Sequence, residues 1–528
     1  MPAVASAGVR RAASSVVTAV VLAAGAACSG SNGPESAGTP PSTEPDVVTT
    51  VPRSTTVAPT TTVPLTTTTA VPESPPPTVA WAACGQGLEC GTLTVPLDHA
   101  DPAKGTVDLF VKRRPAPQAD QRIGSLLVNP GGPGLAGTDL VEQAGFYFSE
   151  ELRDRFDIVA FDPRGTGRSS PVDCVDDLDP VLIGTDPTPE TPEEVQQLAD
   201  QDAAFTAGCV ARSQALLPYI STDATARDID SLRRALGESE ISYFGFSYGS
   251  ELGATWATRF PETVRAAVLD GAANPNAGWE ADRTAQAVGL ERGFLAAMQS
   301  CAGDPSCPFY NDGNPVAAYE ALSASLDSSP VVGDRSRLPA NQSVLFYATA
   351  SRLRDSTGWD ELYQALADAQ DGDVRRLFEL YDGYVRRSSD GSFANVIEAH
   401  IAIDCLEYPG PTDPSQFPLI DARIRQAAPH MSTGYAYQYA CAGWPARQPP
   451  SSRLTAAGAG PVLVVGTSGD TITPIESSRG LAESLEDGVL LTVDGFRHTG
   501  YGLNVCSRDV VDRYLVDLTV PADGTVCA

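Results

Sequence analysis

The run Ile241-Ser242-Tyr243-Phe244-Gly245-Phe246-Ser247-Tyr248-Gly249-Ser250 reads as a strand that turns directly into a helix. Glu251 to Phe260 has helical composition and stops at Pro261. Few folds place a serine at so sharp a corner. Glycines two before and two after Ser247 leave room for neighbouring backbone, and the hydroxyl stands above the sheet over the start of the helix. Gly-x-Ser-x-Gly by itself is a weak signal, since three fixed positions recur by chance. The strand–turn–helix context makes it specific, with a surface Ser/Gly turn as the alternative.

A serine nucleophile needs a base, an orienting acid and an oxyanion hole. The chain has four histidines, His99, His400, His430 and His498. His498 lies in Asp494-Gly495-Phe496-Arg497-His498-Thr499-Gly500, just after the strand-like Gly488–Val493, where the base of an α/β hydrolase belongs. His99, in Pro96-Leu97-Asp98-His99, reads as a surface loop residue. His400 and His430 read as structural, or as lining a cleft. For the acid, Pro461–Gly466 is an apolar, β-branched run that opens into Thr467-Ser468-Gly469-Asp470. Asp470 therefore stands at the carboxyl end of a buried strand, where α/β sites are built. Asp270, ending the earlier run Val264–Leu269, is the competitor. The oxyanion loop is expected at Pro130-Gly131-Gly132-Pro133-Gly134, after the strand Ser125–Asn129. Its donors would be the N–H of Gly132 and that of Tyr248, because Pro133 has none.

These motifs, with Asp162-x-Arg164-Gly165-x-Gly167-x-Ser169, resemble the proline-iminopeptidase-type serine peptidases, and among them the secreted tripeptidyl aminopeptidases of actinobacteria. The resemblance runs from about Trp81 to Ala528 and includes Cys405 and Cys441-Ala442-Gly443-Trp444-Pro445. Pro130 stands where many relatives carry a His. The resemblance implies cleavage of one peptide bond near a free N-terminus through an acyl-enzyme, with no cofactor. Spacing alone supports only a serine hydrolase. An esterase or lipase, or a non-catalytic envelope binding protein, remains open on the same residues.

Eight strands are expected, near Gly91–Leu97, Thr106–Lys112, Gly124–Asn129, Phe156–Phe161, Ile241–Phe244, Val264–Leu269, Pro461–Gly466 and Gly488–Val493. They would form a mostly parallel α/β-hydrolase sheet. Roughly 190 residues separate the sixth and seventh, far beyond an ordinary loop. Helical periodicity there, at Val316–Leu326 and Trp359–Tyr384, marks a helical lid over residues 276–454, between core segments 81–275 and 455–528. A lid closing one end of the cleft would make the enzyme an exopeptidase. Within it, Glu407 follows Cys405 closely enough to be held by a disulfide and to pair with a substrate ammonium. A solvated surface carboxylate is the ordinary alternative.

The first 27 residues read as a secretory leader, with Arg10-Arg11 before a short apolar run. Cys28 is a candidate lipidated first residue of a lipoprotein, and cleavage without a lipid is the rival. Residues 28–80 are rich in Pro, Thr and Ser, too polar to offset the entropy of ordering, and read as an extended stalk. Eleven cysteines less Cys28 leave ten in an exported chain. Pairing neighbours costs the least loop entropy and gives Cys84–Cys90, Cys174–Cys209, Cys301–Cys307, Cys405–Cys441 and Cys506–Cys527. A zinc site at Cys301/Cys307 is the rival reading, with no His or Cys cluster beside it. The net charge of −30 argues against a nucleic-acid partner. No segment after the leader is apolar enough to span a membrane, so peptide or protein N-termini remain as the expected substrate.

Overall fold

The structure is a computed structural model, which describes residues 77–528 except 409, 412 and 449–451. The leader, Cys28 and all but the last residues of the 28–80 segment lie outside it.

Ten strands form one sheet: β1 Ala82–Ala83, β2 Glu89–Pro96, β3 Thr106–Arg114, β4 Gly124–Asn129, β5 Phe156–Phe161, β6 Ile241–Phe246, β7 Val264–Asp270, β8 Val462–Thr467, β9 Gly488–Val493 and β10 Thr525–Cys527. Their order is β1-β2-β3-β5-β4-β6-β7-β8-β9-β10. Pairing is antiparallel from β1 through β3 to β5 and parallel from there to β10. The expected eight correspond to β2–β9. The two extra strands are edge pieces of two and three residues, too short to carry an alternation.

β5, β6 and β8 are buried at every position because both sheet faces are covered. Along β5, Val159 and Phe161 pack with Tyr243, Leu269 and Val464 on one face, against helices Thr222–Leu236, Tyr248–Arg259 and Ile475–Ser484. Ile158 and Ala160 pack with Phe244, Val268 and Val465 on the other, against helices Gly137–Glu142 and Val505–Asp517. Strand order reverses about β4, which lies between β5 and β6. The carboxyl ends of β4 and β6 therefore meet where α/β sheets leave a crevice.

Between β7 and β8 the chain forms helices Trp279–Ala302, Pro315–Ser328, Gln342–Leu353, Trp359–Gln370, Arg375–Val385, Val396–Glu407 and Phe417–Ala427. They have a core of their own around Phe294, Leu345, Leu366 and Tyr381. The periodic stretch Trp359–Tyr384 is two helices, broken where Gly372 takes a positive φ of 85°. The excursion between β5 and β6 departs from the expected division. Its Val172, Leu178, Phe205 and Ile220 pack against Ile401, Leu406 and Trp444 of the β7–β8 insertion. Two separate segments thus build the layer beside the site, because each leaves an apolar face only the other can cover.

Candidate active site

Ser247 directly follows β6 and caps helix Tyr248–Arg259 with φ 55° and ψ −125°, a conformation costly for any residue with a side chain. The corner is crowded. A Cβ on Gly245 would lie 2.1 Å from the Gly249 carbonyl oxygen, and one on Gly131 would lie 2.4 Å from that of Phe246. The Ser247 N–H is held by the Asp270 carbonyl at 2.8 Å.

The structure joins Asp470 and His498. The imidazole Nδ1 lies 2.9 and 3.0 Å from the two Asp470 carboxylate oxygens. Facing two acceptors, Nδ1 carries the proton, which leaves Nε2 as the basic nitrogen. That Nε2 is buried with no hydrogen-bond partner among the described residues. Asp470 also accepts the N–H groups of Ile472, Thr473 and Thr499. Burial pushes its carboxyl up, but the His498 charge and these hydrogen bonds outweigh burial and hold it below the ordinary value. His498 Cε1 stands 3.2 Å from where a Cβ on Gly271 would sit, beside the residue whose carbonyl holds Ser247. Asp270, the competitor, makes no bond to the imidazole; its carboxylate accepts the N–H groups of Gly500 and Tyr501.

Gly132 and Tyr248 line one cleft with Ser247, a space of about 770 Å³. Tyr248 opens its helix, so its N–H has no intrahelical acceptor. The Gly131 N–H is taken by Asn129 Oδ1 at 2.9 Å.

The same cleft holds four carboxylates, Glu251, Asp282, Asp404 and Glu407, with Arg283, His400 and Tyr408. Glu407 is half-buried, not a freely solvated surface group. It accepts the Thr222 N–H at 2.8 Å and the Thr222 hydroxyl at 2.6 Å. The Thr222 hydroxyl spends its one donor on Glu407, so the Tyr248 hydroxyl, 2.7 Å away, donates to Thr222. Burial pushes Glu407 up to about 7, against the pull of the Thr222 bonds, with Asp404 and Asp223 adding like charge. Burial and then the charge of Glu407 raise Glu251 well above the ordinary carboxyl value, and it accepts from the Tyr408 hydroxyl. Asp404 is paired with Arg283, and Asp282 accepts from Gln286.

Three of these acids escaped the sequence reading. Glu251 had a usable signal, since it lies one helical turn beyond Ser247. Asp404 and Glu407 had one in their i, i+3 spacing on a single helix. Asp282 reaches the cleft only through the packing of a different helix.

The remaining histidines separate. His400 lines the cleft beside Asp404. His430 is structural, stacked on Phe294 and bonded to Glu291, whose hydrogen bond raises its pKa. His99 is not a plain surface residue: its Nε2 meets Asp228 at 2.8 Å, in a buried cluster where Arg164 binds Asp228 through two nitrogens. Arg164 also donates to the Pro96, Leu97 and Tyr219 carbonyls. The Asp162-Pro163-Arg164 motif thus braces loops and stays off the cleft. All five neighbour pairs of cysteines are disulfides, so Cys301 and Cys307 are not metal ligands. Five disulfides place the chain's folding in an oxidising compartment.

A sheet of this order, with a serine at the strand–helix corner and an acid–imidazole pair on the two loops beyond, defines an α/β hydrolase. A family model described as "alpha/beta hydrolase fold" matches residues 124–502, and the chain belongs to that family. It is similar to "Serine protease Hip1" of Mycobacterium tuberculosis, 34% identical, over 84% of this chain and 87% of that one. It is 35% identical to "Carboxylesterase B" of the same species, over 86% and 90%. It is 30% identical to "Tripeptidyl aminopeptidase" of Streptomyces lividans, over 84% of each.

Proposed function

We propose that the protein is a serine exopeptidase that releases short peptides, tripeptides among them, from free N-termini. Ser247 Oγ attacks the scissile carbonyl while His498 Nε2 takes its proton and passes it to the leaving amine. Water then hydrolyses the acyl-enzyme by the same route. Asp470 holds the imidazole tautomer and stabilises the imidazolium. The N–H groups of Gly132 and Tyr248 receive the oxyanion.

The observation that carries the reading is the charge of the cleft. Four carboxylates face one arginine beside Ser247, an environment suited to an ammonium group and poor for an anionic or wholly apolar substrate. Asp404 is already paired with Arg283, so Glu407, Glu251 and Asp282 are the groups left to receive the amine. The relatives named serine protease and tripeptidyl aminopeptidase support the same class. The relative named carboxylesterase favours a second reading, ester hydrolysis by the same triad.

A panel of free and N-acetylated peptides beside short-chain esters separates the two. Acetylation removes the charge and should lower kcat/KM at least about tenfold, as expected for losing a charge-assisted contact. Equal cleavage of both peptides would end the exopeptidase reading, and hydrolysis of esters alone would establish the esterase. Failure of Ser247 to take a fluorophosphonate label would leave a non-catalytic protein. We further propose that the leader directs export and that Cys28 carries a lipid, which labelling with a fatty acid and comparison with Cys28→Ala would test.

A further inference from the structure

We propose that Asp270 is a positioning residue that ties the serine corner to the base loop, so that Ser247 and His498 keep one mutual geometry. This rests on the triad proposed above, in which Asp270 touches neither substrate nor imidazole nitrogen. Its main chain serves one partner and its side chain the other. The carbonyl accepts the Ser247 N–H at 2.8 Å. The carboxylate accepts the Gly500 N–H at 2.7 Å and the Tyr501 N–H at 2.9 Å, two and three residues past His498.

The loop so held carries backbone strain. Thr499, next to His498, has a φ of 78°, which a β-branched residue adopts only when its surroundings impose it. Arg497 fixes the other polarity of the same segment, donating to the Thr499 carbonyl at 3.0 Å and the Tyr501 carbonyl at 2.6 Å. N–H groups are thus drawn inward by Asp270 and carbonyls by Arg497. The Asp270 carboxylate is fully buried and, among the described residues, accepts only these two hydrogen bonds, so its ionised form depends on them. Burial pushes the carboxyl up to about 6, against the two backbone N–H groups and the facing charges of Arg497 and His498. Protonation puts a hydrogen on one of the two accepting oxygens and releases one N–H of the loop.

The geometry predicts a kinetic signature distinct from that of the acid, tested on the full chain with Ser247→Ala, Asp470→Asn and Asp270→Asn. An asparagine at 270 presents an NH₂ to one of the two N–H donors. It should lower kcat by about 10- to 100-fold on peptide and ester alike, the cost of a misplacement on the order of 1 Å. KM should stay within about twofold, and the fraction of enzyme labelled by fluorophosphonate should be undiminished at completion. In the wild type, kcat should fall below about pH 6 more steeply than a single ionisation allows, because protonation of Asp270 adds its own step. In Asp270→Asn the slope should be one. Unchanged kcat in the variant overturns the proposal, as does a loss explained wholly by fewer labelled sites. If the variant does not fold, the wild-type acid limb decides: a slope of one overturns it. Appreciable activity in Ser247→Ala would instead sink the triad itself.

Discussion

Individual side chains divide between those that carry the proposed chemistry and those that carry selectivity. Asp470→Asn should leave the protein folded but turn the His498 tautomer the wrong way, lowering kcat by about 10⁴; Ser247→Ala should abolish turnover altogether. Circular dichroism alongside steady-state kinetics distinguishes these from misfolding. Glu407 supplies a separate handle. Its carboxyl, raised to about 7 by burial, must be ionised to attract an ammonium. The KM of a free-amine peptide should therefore drop as pH rises from 6 to about 7, where its α-amino group is still protonated, while that of a small ester stays level. Glu407→Gln should raise the peptide KM about tenfold, flatten its pH dependence and leave the ester unaffected. A peptide KM independent of pH in the wild type would point to another carboxylate of the cleft. The triad positions and the glycine loop were legible in the sequence because each directly follows a short apolar strand, a purely local signal. Glu407 was singled out there, but the rest of the acid cluster was not, because Glu251, Asp282 and Glu407 belong to three helices whose meeting no local pattern records.

At the scale of elements, helix Val396–Glu407 brings Asp404 and Glu407 to the cleft and is pinned by Cys405–Cys441. That bridge closes a loop of 36 residues. On the chain-entropy account its removal costs about 4 kcal/mol. The double variant Cys405→Ala/Cys441→Ala should melt earlier and show a higher KM for peptides, with kcat on small esters nearly unchanged. Equal loss on both substrates would mean that the helix supports the catalytic loops and not selectivity. The insertion does reach those loops elsewhere: the His498 N–H donates to the Arg354 carbonyl at 2.7 Å, and the Thr471 hydroxyl to that of Leu353 at 3.0 Å. Periodicity marked the insertion as helical, yet it missed the break at Gly372 and the recruitment of residues 172–220. Period 3.6 reports which face is apolar and says nothing of what covers it.

Across the whole molecule, buried carboxyls set the pH range. Asp270 and Asp421 are raised to about 6 and Glu407 to about 7, in each case chiefly by burial, and burial lifts Asp202 well above its ordinary value. A carboxyl whose folded pKa exceeds its unfolded one contributes stability below the unfolded value and loses it as pH rises through the folded one. The loss here falls between about pH 4 and 7. The net charge of −30 adds self-repulsion in the same direction. Asp470, held low, opposes the trend only at more acidic pH. The melting temperature should therefore be highest near pH 5 and decline toward pH 8. Scanning calorimetry across that range checks it; a maximum at pH 8 would mean that these carboxyls are ionised in the fold at little cost.

The sequence by itself determined the eight principal strands, the corner at Ser247, the Gly-Gly-Pro-Gly loop and the loops bearing Asp470 and His498. Each depends on residues adjacent in the chain: glycines where backbone crowds, β-branched runs where both faces are buried, turn residues where a strand must stop. Only the tertiary structure decided that Asp470 and not Asp270 meets the imidazole, because both end neighbouring parallel strands and differ only in which loop folds over them. It also decided that Arg164 and His99 brace a buried aspartate, and that acids remote in sequence share one cleft with Ser247. The side-chain pairs join groups 28 to 129 residues apart, and their energy comes from desolvation and charge that exist only once the elements have packed.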